Sequence, residues 1–194
     1  NNSKQPMNIS FSGVPNHLHL YTKPKVLQPG EETYIYCDYD PTKINDWGFR
    51  LDQVRIQVNG EHVPHNNLVV STKIVEDFSN LTPEQQANAP KVEFNGTTYD
   101  FGTAPQHSRV KHVFHFKNTG KSDLKIRKIR TTCGCTTVTP DKKIIPPGAS
   151  SSFKAILHTG TREGKQNKSI YFISNDPENS NIRLSIKGKV VKDS

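Results

Sequence analysis

The chain has 194 residues, 26 Lys/Arg against 18 Asp/Glu for a formal net charge of +8, and 32% hydrophobic residues. Its Leu, Ile, Val and Phe content clears the roughly 20% below which highly charged chains stay disordered, so one large folded domain or two small ones are expected. No apolar run nears the ~20 residues of a membrane helix, and the chain does not open on a basic region followed by an apolar stretch, so a soluble chain with any signal peptide removed is expected.

Ile and Val number 28 against nine Leu and five Ala, a balance that favours strands. Taken in chain order, the first elements already recur later. The opening NNSKQPMNIS matches 117–126 with a one-residue gap, and 25–40 matches 143–158 with Pro29-Gly30 on Pro147-Gly148. Residues 54–60 fall on 170–176, 66–73 on 180–187, and 74–77 on 190–193. Matches in one order at similar spacing indicate two copies of one domain. Within copy one, Ile35, Cys37 and Tyr39 alternate with Tyr34, Tyr36 and Asp38, which predicts a half-buried strand with Cys37 as a core thiol. Asn59-Gly60 is a two-residue hairpin signal. Residues 81–89 can form a helical turn but lack an apolar face, so 81–91 is read as a linker between domains at 1–80 and 92–194.

Copy two opens with 92–116, enough for two or three strands, and copy one has no counterpart to them. The opening strands of copy one are expected to be missing from this sequence, upstream in the natural chain or outside the structure. A sandwich without them exposes apolar surface and unpaired backbone, so the first domain is expected to be compromised or completed from outside. Next comes the densest basic group, Lys125, Arg127, Lys128 and Arg130, interleaved with Leu124, Ile126 and Ile129. That alternation describes a solvated sheet face, and no nucleic-acid partner is expected. Phe153, Ala155 and Leu157 then repeat the inward pattern of 35–39, and Asn175-Asp176-Pro177 stands where copy one has its hairpin signal. Short alternating strands with regular turn signals specify an antiparallel β-sandwich.

Few residues are placed for chemistry. Cys133-Gly134-Cys135 puts two thiols on one strand face, ~6.6 Å between Cα atoms. Three readings stand open: a thiol pair packed at a sheet edge, a disulfide closed by a bend at Gly134, or a functional pair that binds a soft metal, Cu(I) or Zn²⁺, or serves as a redox thiol site. His112, on the inward alternation of Phe114 and Phe116, is the candidate third ligand. Copy one has NHLHLYT at 16–22 and no Cys there, so the fold does not require the pair. Trp47 lies in a loop where its ring can anchor the loop or stack on a glycan or partner. No Gly-x-Ser-x-Gly elbow, phosphate loop, dinucleotide fingerprint or His-Glu-x-x-His occurs, and the chain is read as a non-enzyme.

Phe101-Gly102, Phe114 and Phe116 before Asn118-Thr119-Gly120, Cys133-Gly134-Cys135, Pro147-Gly148 and Asn175-Asp176-Pro177 together resemble the bacterial domain-of-unknown-function family fifteen-seventy-three. Copy one resembles a diverged member, with 45–60 similar to paired domains of Bacteroidetes proteins. The resemblance implies the immunoglobulin-like group that includes ASH, Hydin and major-sperm-protein domains. It brings tandem, exported interaction modules and no biochemical activity. The expectation is therefore an all-β chain of two tandem immunoglobulin-like antiparallel β-sandwich domains, the first lacking its N-terminal strands. Its place is outside the cytoplasm: periplasmic, outer-membrane-associated or secreted. Its partners are envelope proteins, met through strand edges and the junction of the copies.

Overall fold

The structure, a computed structural model, describes residues 1–192, so the last two positions of the expected second domain lie outside the described residues. The chain divides into two compact units, Asn1–Val75 and Glu76–Ser194. The first holds β1 (Met7–Ser12), β2 (Leu18–Thr22), β3 (Val26–Leu27), β4 (Ile35–Tyr39), β5 (Gly48–Val58) and β6 (Glu61–Ile74). They form a four-stranded sheet, β3-β1-β5-β6, and a two-stranded sheet, β2-β4. The second unit begins with a short helix, α1 (Pro83–Ala87), inside the expected linker. Thr82 and Gln85 close a capping box at its start. Nine strands follow: β7 (Val92–Phe94), β8 (Thr98–Pro105), β9 (Arg109–Asn118), β10 (Leu124–Thr131), β11 (Thr136–Pro140), β12 (Ile144–Ile145), β13 (Ser150–His158), β14 (Gly164–Ser174) and β15 (Asn181–Val191). Their sheets run β12-β10-β14-β15-β8 and β11-β13-β9-β7. One pairing departs from the antiparallel expectation, since β8 joins β15 in parallel.

The repeat holds down to the register. Met7 faces Leu27 as Leu124 faces Ile145, and Ile9 faces Val58 as Ile126 faces Ser174. Leu18 faces Tyr39 as Thr136 faces Leu157, and Thr22 faces Ile35 as Pro140 faces Phe153. Gly48 faces Ile74 as Gly164 faces Val190. β1 to β6 are thus the counterparts of β10, β11, β12, β13, β14 and β15. Among the described residues of the first unit, no strand takes the places of β7, β8 or β9.

One stretch of the sequence match slips. Arg55 faces Asn67 where Tyr171 faces Arg183, so 66–73 belong with 182–189 instead of 180–187. The cause is a bulge between Arg55 and Gln57, opposite which β6 carries extra residues with His65 at φ 61°. The hairpin itself forms as expected, with Asn59 and Gly60 at φ 51° and 85°, the positive values that a two-residue turn needs at both positions.

The core lies mainly in the second unit, where Phe114, Phe116, Phe153, Phe172, Leu124, Leu157, Ile170, Leu184 and Ile186 interlock between the two sheets. In the first unit only Leu18, Leu27 and Val54 are buried hydrophobics among the described residues. There the expected core thiol is corrected. Cys37 is a free, exposed cysteine, and Ile35 beside it on the same face is 38% exposed, whereas their counterparts Ala155 and Phe153 are 0% exposed. Alternation assigned the face properly. The face stays open because β4 pairs with β2 alone.

Candidate functional site

Asn118, Asn175 and Asp176 of the signature come together at one end of the second unit, where they tie loops to strands, while Cys133, Cys135 and Phe101 lie toward the other end. Asn118 is fully buried. Its Nδ2 donates to the carbonyls of Ser122 and Ile145 at 2.8 and 2.9 Å, and its Oδ1 accepts from the backbone N–H of Gly120 at 3.0 Å. Asn175 Oδ1 accepts from Lys125 N–H at 2.6 Å. The buried Asp176 carboxylate accepts from Val92 N–H at 2.9 Å and from Glu178 and Asn179 N–H at 2.9 and 3.1 Å. Phe101 lies flat over Gly188, where an added Cβ would sit 2.5 Å from the ring. These groups are consumed in hydrogen bonding and packing, as buried polar groups must be, and none of them presents a reactive atom.

Copy one repeats part of this clamp. Asn1 Nδ2 donates to Gln5 and Leu27 carbonyls, and Asn59 Oδ1 accepts from Asn8 N–H at 2.8 Å. The residue after Asn59 is Gly60 instead of an aspartate. Asp176 holds the start of β7 as well as its own turn, and among the described residues the first unit has no counterpart of β7.

Cys133 and Cys135 are joined as a disulfide across the turn between β10 and β11. Of the three readings left open by the sequence, the bridge is the one that forms; packing as free thiols is corrected. Closure brings the two Cα atoms to 5.2 Å, well under the spacing of an extended strand, and Gly134 stands exposed at the bend with nothing around its Cβ direction. Thr131 Oγ1 donates to the carbonyls of Cys133 and Thr136, bracing the turn. In this state neither sulfur is a thiolate. His112 does point inward, but its ring stacks on Tyr99 at 3.9 Å and meets the edge of Phe114 at 4.6 Å; burial first, then His115, lowers its pKa. Among the described residues no group of three or more His, Cys, Asp or Glu stands together as a metal site.

The equivalent turn of copy one holds what the sequence reading missed. Asp40 N–H donates to the His17 carbonyl as His158 N–H donates to that of Cys135, so His17 occupies the place of Cys135. Its Nε2 meets Asp52 Oδ2 at 3.0 Å, with the two side chains 8% and 4% exposed. Arg50 grips the same carboxylate through Nε and Nη2 at 2.9–3.1 Å. Burial raises the Asp52 pKa, and the hydrogen bonds from Arg50 and His17 outweigh it, leaving the carboxyl below its ordinary value. The only sequence signal was Asp52 on the inward alternation of β5, beside Val54.

Two strand edges of the first unit, on β4 and β6, stand unpaired where the second unit covers the counterparts β13 and β15. Around them Tyr34, Ile35, Tyr36, Phe49, Leu51 and Val69 are exposed. Tyr36 stacks on Tyr21 at 5.2 Å, and Lys23 lies over the Tyr21 ring. Between the sheets a cavity of about 410 Å³ is lined by Ile9, Phe11, Leu18, Leu20 and Thr22. Thr22 Oγ1 and Tyr39 Oη are buried without a hydrogen-bond partner. Trp47 is half-buried in the loop before β5, its backbone N–H donating to Asp46 Oδ1 at 2.8 Å. In the basic group of β10, Arg127 forms a two-point pair with Glu76 at 2.6 and 2.9 Å.

The second unit is thus a two-sheet sandwich of immunoglobulin type, with signature residues that shape loops. Residues 92–190 match the family model described as a protein of unknown function (DUF1573), and the chain belongs to that family. A protein of unknown function from Porphyromonas gingivalis W83 is similar in structure at a TM-score of 0.68 and 19% identity, over 97% of this chain and 87% of that one. An ASH/PapD-like domain of human CEP192 is similar at a TM-score of 0.47 and 12% identity, over 61% of this chain and 99% of that one. No curated protein matches the chain. Among the described residues no helix is long and apolar enough to cross a membrane.

Proposed function

We propose that the protein is a non-enzymatic interaction module that works outside the cytoplasm and engages protein partners of the cell envelope through the first unit. The carrying observation is the contrast between copies: the edges of β13 and β15 are covered, while those of β4 and β6 stand open amid exposed Tyr34, Tyr36, Phe49, Leu51 and Val69. An open edge offers a row of backbone donors and acceptors, and strand addition is a common way to use it. The Cys133–Cys135 disulfide supports the location, because such bonds persist in oxidising compartments.

The test is photocrosslinking in the cells that produce the protein. A benzophenone side chain at Tyr34 or Leu51 should give discrete adducts heavier than the monomer, and one at Glu163 in the second unit should not. Absence of adducts from every exposed position in both units would overturn the reading.

A further inference from the structure

The internal repeat states what belongs at the open edges. In the second unit one continuous segment, β8 to β9, serves both sheets: β8 runs along β15 and β9 along β13. Along β13 the partners are Phe114 opposite Phe153, His112 opposite Ala155 and Val110 opposite Leu157. Their counterparts in the first unit are Ile35, Cys37 and Tyr39, facing inward with Leu18, Leu20 and Thr22 on β2. This is an inner face prepared for a neighbouring strand. Two separate features agree. Ile35 and Cys37 are exposed although they point inward, and the Thr22 and Tyr39 hydroxyls lack partners.

Resting on the interaction-module reading, we propose that the first unit accepts one extended segment of a partner polypeptide, which adds antiparallel to β4 and completes the sheet. Its side chains alternate. Large apolar groups face Ile35 and Cys37, taking the positions that Phe114 and His112 hold in the second unit. Its outward residues are basic. The outward face of β4 presents Tyr34, Tyr36 and Asp38, with Asp40 just beyond the strand; Asp38 meets His19 Nδ1 at 3.4 Å and Asp40 meets Lys43 Nζ at 3.5 Å, and both carboxylates stay exposed to a further cation. In the second unit the residues opposite the counterparts of Asp38 and Asp40 are Lys111 and Arg109. Residues 1–80 carry nine Asp/Glu against seven Lys/Arg, so charge favours the same choice. Tyr34 and Tyr36 give an aromatic surface on which a lysine or arginine stem lies flat.

The test uses the whole protein and a phage-displayed library of random dodecapeptides. Enriched peptides should carry apolar residues at alternate positions with Lys or Arg between them. They should bind the Ile35→Asp variant at least tenfold more weakly than the wild type. Ile35 is already exposed, so the variant keeps its fold, which an unchanged circular dichroism spectrum checks. Cys37 is the one free thiol among three cysteines and serves as reporter: bound peptide should slow its maleimide labelling severalfold. Peptides without that alternation, or peptides that bind the variant equally and leave Cys37 fully reactive, would overturn the proposal. So would Cys37 protection that rises with protein concentration in the absence of peptide, since that gives the edge to a second copy. Envelope adducts from Tyr34 or Leu51 alongside a failed selection would leave the interaction reading standing and remove this one.

Discussion

At residue scale the two copies close the same turn by different chemistry. In copy two a covalent bond spans residues with a sequence separation of 2. So small a loop removes little entropy from the unfolded chain, about 1.6 kcal/mol on the loop-closure relation. The Cys133→Ser/Cys135→Ser variant should therefore stay folded, with its melting temperature lowered by roughly 6 °C; scanning calorimetry checks this, and a collapse of the fold would show that the bridge governs more than its turn. In copy one the same place is held by His17 and Arg50 on the Asp52 carboxylate. Removing one member of a buried pair strands the others, so Asp52→Ala should destabilise the first unit by about 3 kcal/mol. Because the folded-state pKa of Asp52 lies below its ordinary value, the stabilisation is present above the unfolded value of about 3.9 and is lost as the pH falls through the folded value. Amide exchange followed below pH 4 should show β2 and β5 losing protection, with the acid-dependent part of that loss absent from Asp52→Asn.

At the scale of elements, β8 shows how one strand is fastened. It lies at the edge of its sheet, and its register slips between Lys187 and Lys189, where Phe101 covers Gly188. A methyl group at Gly188 would meet the ring at 2.5 Å, so Gly188→Ala should push Phe101 aside and cost about 1–3 kcal/mol. The expected readout is faster amide exchange confined to 98–105, with β13 and β14 unchanged; uniform loss of protection would mean that β8 is integral to the core. Elements of this kind were partly legible. Alternation at Phe153, Ala155 and Leu157 named an inward face that the structure buries completely. The same alternation at Ile35, Cys37 and Tyr39 named a face without revealing that no strand stands beside it, because period two reports direction and not coverage. The slip at 66–73 has a related cause. A displacement of two residues keeps every side chain on its own face, so the pattern looked sound while the register was wrong.

At the scale of the molecule, duplication was readable because turns repeat well: Pro29-Gly30 with Pro147-Gly148, and Asn59 with Asn175. The contact of His17 with Asp52 was not, since it joins residues 35 apart in sequence, and histidines beside turns carry no distinguishing spacing. The disulfide stood as one of three alternatives, because two cysteines with one residue between them fit an extended strand as well as the tighter turn that brings their Cα atoms to 5.2 Å. Two closures of one turn also mean two different vulnerabilities. Acid neutralises Asp52 and leaves the sulfur bridge untouched; a reductant opens the bridge and leaves the carboxylate untouched. A surrounding that turned both sour and reducing would release both latches together, whereas either change alone would slacken one half of the chain and spare the other.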